Sequence, residues 1–118
     1  MFLKVLRAKI HRATVTAADL NYVGSITIDP ELTEAAGMLP GECVLVADLA
    51  NGTRHETYVV QGQRGSGMVC INGAAARLVN AGDHIIIMAF AYVTAEEARQ
   101  IKPRIVIVND KNQLAKTL

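Results

Sequence analysis

The sequence predicts a mainly β protein, a small barrel with short helices, and three observations carry that prediction. Strand-like runs recur along the chain, each bounded by Gly, Pro, Asn or Asp. The apolar residues in them alternate or run unbroken instead of having a helical period. At 118 residues, the chain suits one domain able to bury roughly two thirds of its unfolded surface.

KVLRAKIHRATVT (4–16) reads as a first long strand and SITI (25–28) as a second, with Ile26 and Ile28 alternating with Ser25 and Thr27. In DPELTEAAG, Asp29 caps a short helix, Pro30 suits its first position and Gly37 its exit. CVLVADL and ETYVVQ flank Asn51-Gly52, a strong short-range hairpin signal. QRGSG has neither P-loop nor dinucleotide spacing and reads as a turn. MVCIN is a further strand, and Ala74 to Val79, if they open a helix, would present N-terminal N–H groups that suit an anion. HIIIMAF and RIVIV are strands on either side of TAEEARQ, a helix in which Thr94 and Glu97 have capping-box spacing. VLVA and IIIMAF alternate little, which suggests strands covered on both sides, in part by neighbouring subunits.

Composition narrows the function. A net charge of +1 provides no electrostatic footprint for nucleic acid. Lys4, Arg7 and Lys9 interrupt the apolar start, so it lacks the core of a signal peptide, and no run approaches the roughly 18 apolar residues of a membrane helix. A soluble, cytoplasmic protein is expected, with no membrane partner. Cys43 and Cys70 sit in apolar runs and are expected as buried free thiols. No repeat or composition shift marks a second domain, and His84 has no spaced partners for a metal, so none is expected.

Gly24-Ser25 interrupts the second strand at its start, where glycine ordinarily marks a bulge. The pair also has chemistry. A serine hydroxyl beside a strained peptide bond can attack the preceding carbonyl, moving the acyl group from nitrogen to oxygen. Loss of the serine Cα proton then expels the ester, and the resulting dehydroalanine hydrolyses to a pyruvoyl group and ammonia. Glycine at 24 would tolerate unusual backbone angles and leave the carbonyl open. Such a centre needs an oxyanion donor, cations for carboxylates and a proton donor. On a strand, Arg54, Glu56 and Tyr58 share one face and His55 and Thr57 the other, while Lys9 and His11 share a face of the first strand. Arg54 suits bidentate carboxylate recognition. Asn72 and Gly73 precede three alanines small enough to let a ligand reach the backbone.

The segments KIHRATVTAADLNYVGSITID, NGTRHETY and GSGMVCINGAAA, in this order and spacing, resemble the aspartate 1-decarboxylase family from about Lys9 to about Phe90. The resemblance implies a six-stranded double-psi β-barrel over 1–118, assembled as a homotetramer with active sites between subunits. It implies cleavage between Gly24 and Ser25 into chains 1–24 and 25–118, Ser25 becoming a covalent pyruvoyl cofactor. Thr57 would stabilise the oxyanion and touch substrate, and Tyr58 would donate the proton. Lys9 and Arg54 would hold the carboxylates of L-aspartate. Asn72 with the Gly73, Ala74 and Ala75 backbone would complete the pocket, and His11 and Tyr22 would be neighbours. The implied product is β-alanine, for pantothenate synthesis, with or without a maturation partner protein. Ala47 and Arg77 depart from the tryptophan and histidine associated with those positions. The rival readings are a pyruvoyl enzyme for another amino acid and a barrel without catalysis, whose chain would stay uncleaved.

Overall fold

The computed structural model describes all residues, Met1–Leu118. Nine strands form one sheet in the order β2-β6-β3-β5-β4-β7-β1-β8-β9. They are β1 (Leu3–Thr14), β2 (Ala17–Asp19), β3 (Ser25–Ile28), β4 (Cys43–Asp48), β5 (Arg54–Gln61), β6 (Val69–Asn72), β7 (His84–Val93), β8 (Arg104–Val108) and β9 (Leu114–Thr117). Helices α1 (Pro30–Ala36) and α2 (Ala95–Gln100) and a 3-10 turn (Gly73–Arg77) complete the chain.

The sheet closes because β1 and β2 are one strand bent in the middle. β1 pairs with β7 along one edge and with β8 along the other. Its register shifts between His11 and Ala13, where Arg12 takes φ 65°, and a bulge of this kind bends a strand and re-aims the residues beyond it. Past the bend, Thr16 N–H donates to Val69 O (2.8 Å) and Val69 N–H to Thr16 Oγ1 (3.0 Å). β2 then runs parallel to β6. With β1 and β2 counted together, the closed ring is β1/β2, β6, β3, β5, β4 and β7, the six strands expected. The hairpin β8–β9 lies outside the ring, against β1.

Inside the ring the period of two is visible as burial. Ile10, Ile26, Ile28, Val44, Val46, Ile71, Ile85 and Ile87 are at most 1% exposed and anchor a single core. Each buried aliphatic side chain contributes about 1.5–3 kcal/mol. Their neighbours Leu45, Ile86, Met88, Ile105 and Ile107 face outward and are only half-buried. VLVA and IIIMAF are thus apolar on both faces, and in one chain the outer face lies open.

The caps form as the sequence predicts. Asp29 accepts from Glu31 N–H and Gly37 ends α1 at φ 75°, and Thr94 and Glu97 make a reciprocal capping box. Asn51-Gly52 forms the β4–β5 turn, with Gly52 at φ 73°. The expected helix from Ala74 is a correction: it is a five-residue 3-10 turn starting at Gly73. It is too short to present an anion with a helix N-terminus. Cys70 is buried, but Cys43 is exposed at the start of β4, correcting the expectation of two buried thiols; both are free.

Candidate active site

Ser25 opens β3 where an exposed loop, Leu20–Gly24, enters the barrel wall. Gly24 is exposed, whereas Ser25 is 2% exposed. Ile26 and Ile28 point into the core, so Ser25 and Thr27 point out. Antiparallel pairing places Asn72 opposite Ser25, and the Asn72 Nδ2 donates to Ser25 Oγ (3.0 Å) and to Thr27 Oγ1 (2.9 Å). Ser25 Oγ in turn donates to Val23 O (3.1 Å). The hydroxyl is therefore buried, oriented and next to an accessible peptide junction.

The glycine that makes this approach possible is Gly73. It adopts φ 81°, and a Cβ there would lie 2.7 Å from Gly24 Cα, 3.0 Å from Gly24 N and 3.4 Å from Tyr22 O. A Cβ on Gly24 would meet nothing within 4 Å, and Gly24 is not among the positive-φ glycines. The expected role of Gly24 is thus half corrected. Its space is open, as expected, but the left-handed conformation belongs to Gly73, which sits flat on the Gly24 backbone.

β3 runs parallel to β5 with Ile26 beside Val59 and Thr27 beside Val60. Pairing ends at Ile26; continued past it, the register would bring Tyr58 beside Ser25 and Thr57 beside Gly24. Tyr58 is on the outer face and exposed, while Thr57 points to the inner side, half-buried. Neither hydrogen-bonds Ser25. A groove of about 480 Å³ lies on this outer face, lined by Tyr22, Thr27, Gln61, Met68, Cys70 and Asn72 among others, with no lysine or arginine. Ala74 is exposed and Ala75 half-buried just beyond Gly73, and Arg77 ends the same turn in solvent.

The cationic residues lie elsewhere on the sheet. Arg54, Ala47, Ile86 and His11 are successive cross-strand partners over β5, β4, β7 and β1. The next row on the same outer face is Glu56, Leu45, Met88 and Lys9. Arg54 stands four residues from Tyr58, about 13 Å along the strand, and Lys9 three strands from β5, about 14 Å. One chain therefore holds two separate groups, Ser25 with Gly24, Tyr22, Asn72 and Gly73, and Lys9 with His11 and Arg54. Ala47, in the middle of the cationic row, is buried. Burial, and then Lys9 and Arg12, lower the pKa of His11, so this row carries a neutral imidazole near pH 7. No group of three His, Cys, Asp or Glu side chains is arranged to hold a metal ion.

Known proteins are similar to this sequence over nearly its whole length. A family model described as aspartate decarboxylase matches residues 1–115. The chain belongs to the aspartate decarboxylase family. Curated relatives called aspartate 1-decarboxylase include those of Caldicellulosiruptor saccharolyticus, 60% identical over 98% of this chain and 91% of the relative, and Clostridium beijerinckii, 58% identical over 97% and 92%. The Bacillus cereus relative is 52% identical over all of this chain and 93% of its own. A solved structure of a rationally designed protein has TM-score 0.48 and 17% identity, covering 71% of this chain and 95% of its own.

Thr27 and the groove it lines escaped the sequence reading. The signal was available: Thr27 is two residues from Ser25, and that spacing on a strand puts both hydroxyls on one face.

Proposed function

We propose that this chain decarboxylates L-aspartate to β-alanine after cutting its own Gly24–Ser25 bond and converting Ser25 to a pyruvoyl group. The single observation that carries the self-processing is Ser25 itself, a buried hydroxyl held by Asn72 at an exposed, unobstructed glycine junction. The residues present fit such a group, since the outer-face groove beside Asn72 gives it room and Gly73 lets the chain lie close. A pyruvoyl carbonyl supplies an electrophile for the substrate amine and a sink for the electrons left by the departing carboxylate.

The chain's own residues do the rest. Asn72 orients Ser25 Oγ for attack on the Gly24 carbonyl, and Thr57, beside Gly24 in the continued strand register, stabilises the oxyanion and later touches substrate. Tyr58, beside Ser25 in the same continued register, returns a proton to the substrate carbon that loses its carboxylate. Arg54 and Lys9 hold the substrate carboxylates, with His11 and Tyr22 as neighbours and the Gly73, Ala74 and Ala75 backbone closing the pocket. An uncharged side chain in the substrate would leave a pocket cation without its carboxylate partner, so acidic substrates are preferred.

Because Arg54 stands about 13 Å along β5 from Tyr58 and Lys9 about 14 Å around the barrel wall from β5 within one chain, we assign them to a neighbouring copy. The half-buried outer face of Leu45, Ile86 and Met88 supplies an apolar surface for that contact, and a homotetramer with active sites between subunits satisfies both observations. The product would feed pantothenate synthesis in a reducing cytoplasm, which suits two free thiols; no helix is long and apolar enough to cross a membrane.

The test is a denaturing intact-mass spectrum of the purified protein. Two chains, 1–24 and a longer one light by the serine-to-pyruvoyl change, are expected, and Ser25→Ala should leave one intact chain. A wild-type chain that stays whole after warming and after addition of host lysate would refute self-processing; cleavage only with lysate would assign maturation to a partner protein.

A further inference from the structure

We propose that Thr27 is a positioning residue for cleavage at Gly24–Ser25, acting through Asn72; the proposal rests on the reading of Ser25 as the processing serine. An Asn side chain turns about a broad, soft torsion, so one hydrogen bond leaves its amide plane free to rotate. Asn72 makes two from the same nitrogen, to Ser25 Oγ (3.0 Å) and Thr27 Oγ1 (2.9 Å). Both hydrogens of Nδ2 are then committed, the amide plane is fixed, and Ser25 Oγ receives its donor from one direction only.

Thr27 is itself held. Its methyl Cγ2 lies over Gly62, only 3.0 Å from where a Cβ on that residue would stand, and Met68 Sδ occupies the same gap at 2.8 Å. A β-branched side chain has a stiff first torsion. Packing of the methyl therefore decides where the hydroxyl points, and it points at Asn72. Serine at position 27 would supply the hydroxyl without this lock, valine the lock without the hydroxyl, and alanine neither.

This pattern of losses separates positioning from packing. Each variant, with wild type, is made by cell-free synthesis and sampled over time by intact mass for the fraction cut at Gly24–Ser25, with far-UV circular dichroism on each product. Thr27→Val and Thr27→Ala should cut about tenfold more slowly, the scale of one neutral hydrogen bond lost from the reacting geometry, and Thr27→Ser should stay within about threefold of wild type. Wild-type rates in Thr27→Val, or Thr27→Ser as slow as Thr27→Ala, overturn the proposal and leave the processing reading intact. Should Thr27→Val fail to fold, the serine and alanine variants decide alone. A wild-type chain that never cuts, even with lysate, removes the processing reading and this proposal with it.

Discussion

Replacing Gly73 by alanine perturbs one contact whose size is legible in the structure. The new Cβ would stand 2.7 Å from Gly24 Cα and 3.0 Å from Gly24 N, and backbone atoms cannot swing aside as a side-chain end can. Holding alanine at φ 81° costs about 1–2 kcal/mol, and crowding in a packed site adds about 1–3 kcal/mol. The expected loss is about 2–5 kcal/mol, a large share of the roughly 5–15 kcal/mol of an ordinary domain. It should be measured in a Ser25→Ala background, which keeps the chain in one piece, by urea unfolding at fixed protein concentration. With a urea slope of about 2 kcal/mol/M, the middle of the usual range, the midpoint should fall by about 1–2.5 M. Gly24→Ala in the same background meets open space and should change stability by less than about 1 kcal/mol. Equal midpoints for Gly73→Ala and its parent would show that the 73–75 turn does not lie against Gly24, and the description of the site would fail with it.

Arg54→Ala should leave cleavage at Gly24–Ser25 intact and abolish release of CO₂ from aspartate; normal turnover would refute its role in holding carboxylate. Asp48 is buried with its Oδ2 unpartnered, and burial followed by the neighbouring Asp83 carboxyl raises its pKa, while Asp48 and the Asn80 N–H lower that of Asp83. The raised group stabilises the fold fully below the ordinary carboxylate range and loses that contribution as pH rises through its folded value. Asp48→Asn should remove that loss, so the variant should gain stability relative to its parent as pH rises through and above the ordinary carboxylate range; no relative gain counts against the raised carboxyl. Asn112 is 3% exposed, and its side chain joins Thr14 N–H, Thr14 O and Gly67 O. Asn112→Ala should cost about 2–4 kcal/mol, since buried backbone groups lose their partners, and an unchanged urea midpoint would show the clasp to be idle.

The strands that face a core on one side were the legible part of the sequence. SITI and RIVIV coincide with β3 and β8, and the caps of α1 and α2 lie where Asp29 and Thr94 put them. β2 and β9 are absent from the sequence reading because every residue in them is exposed, leaving no alternation to see. Residues on one strand could be assigned to faces, and Arg54, Glu56 and Tyr58 do share one. Distances between strands could not be read. Lys9, Arg54 and Ser25 look like one pocket in a linear reading, and only the strand order separates them. The Gly73 contact was illegible for the same reason, since a glycine's need for φ > 0 shows only when its neighbour in space is known.

The bent strand β1/β2 shapes the life history of the molecule. It supplies Ala8, Ile10, Ala13 and Val15 to the core and lies within residues 1–24, the piece that the proposed cut at Gly24–Ser25 would release from covalent continuity. Before the cut, folding is unimolecular, because the segment is delivered to its place by the chain itself. After such a cut the barrel would be a two-piece object whose smaller piece has no core of its own, and refolding it from denaturant would become a dilute bimolecular search. On that proposal folding has to come before chemistry, and a cut molecule would persist through slow unfolding rather than ready renewal. Denatured after maturation, it should recover poorly and with a dependence on concentration that its uncut precursor does not share.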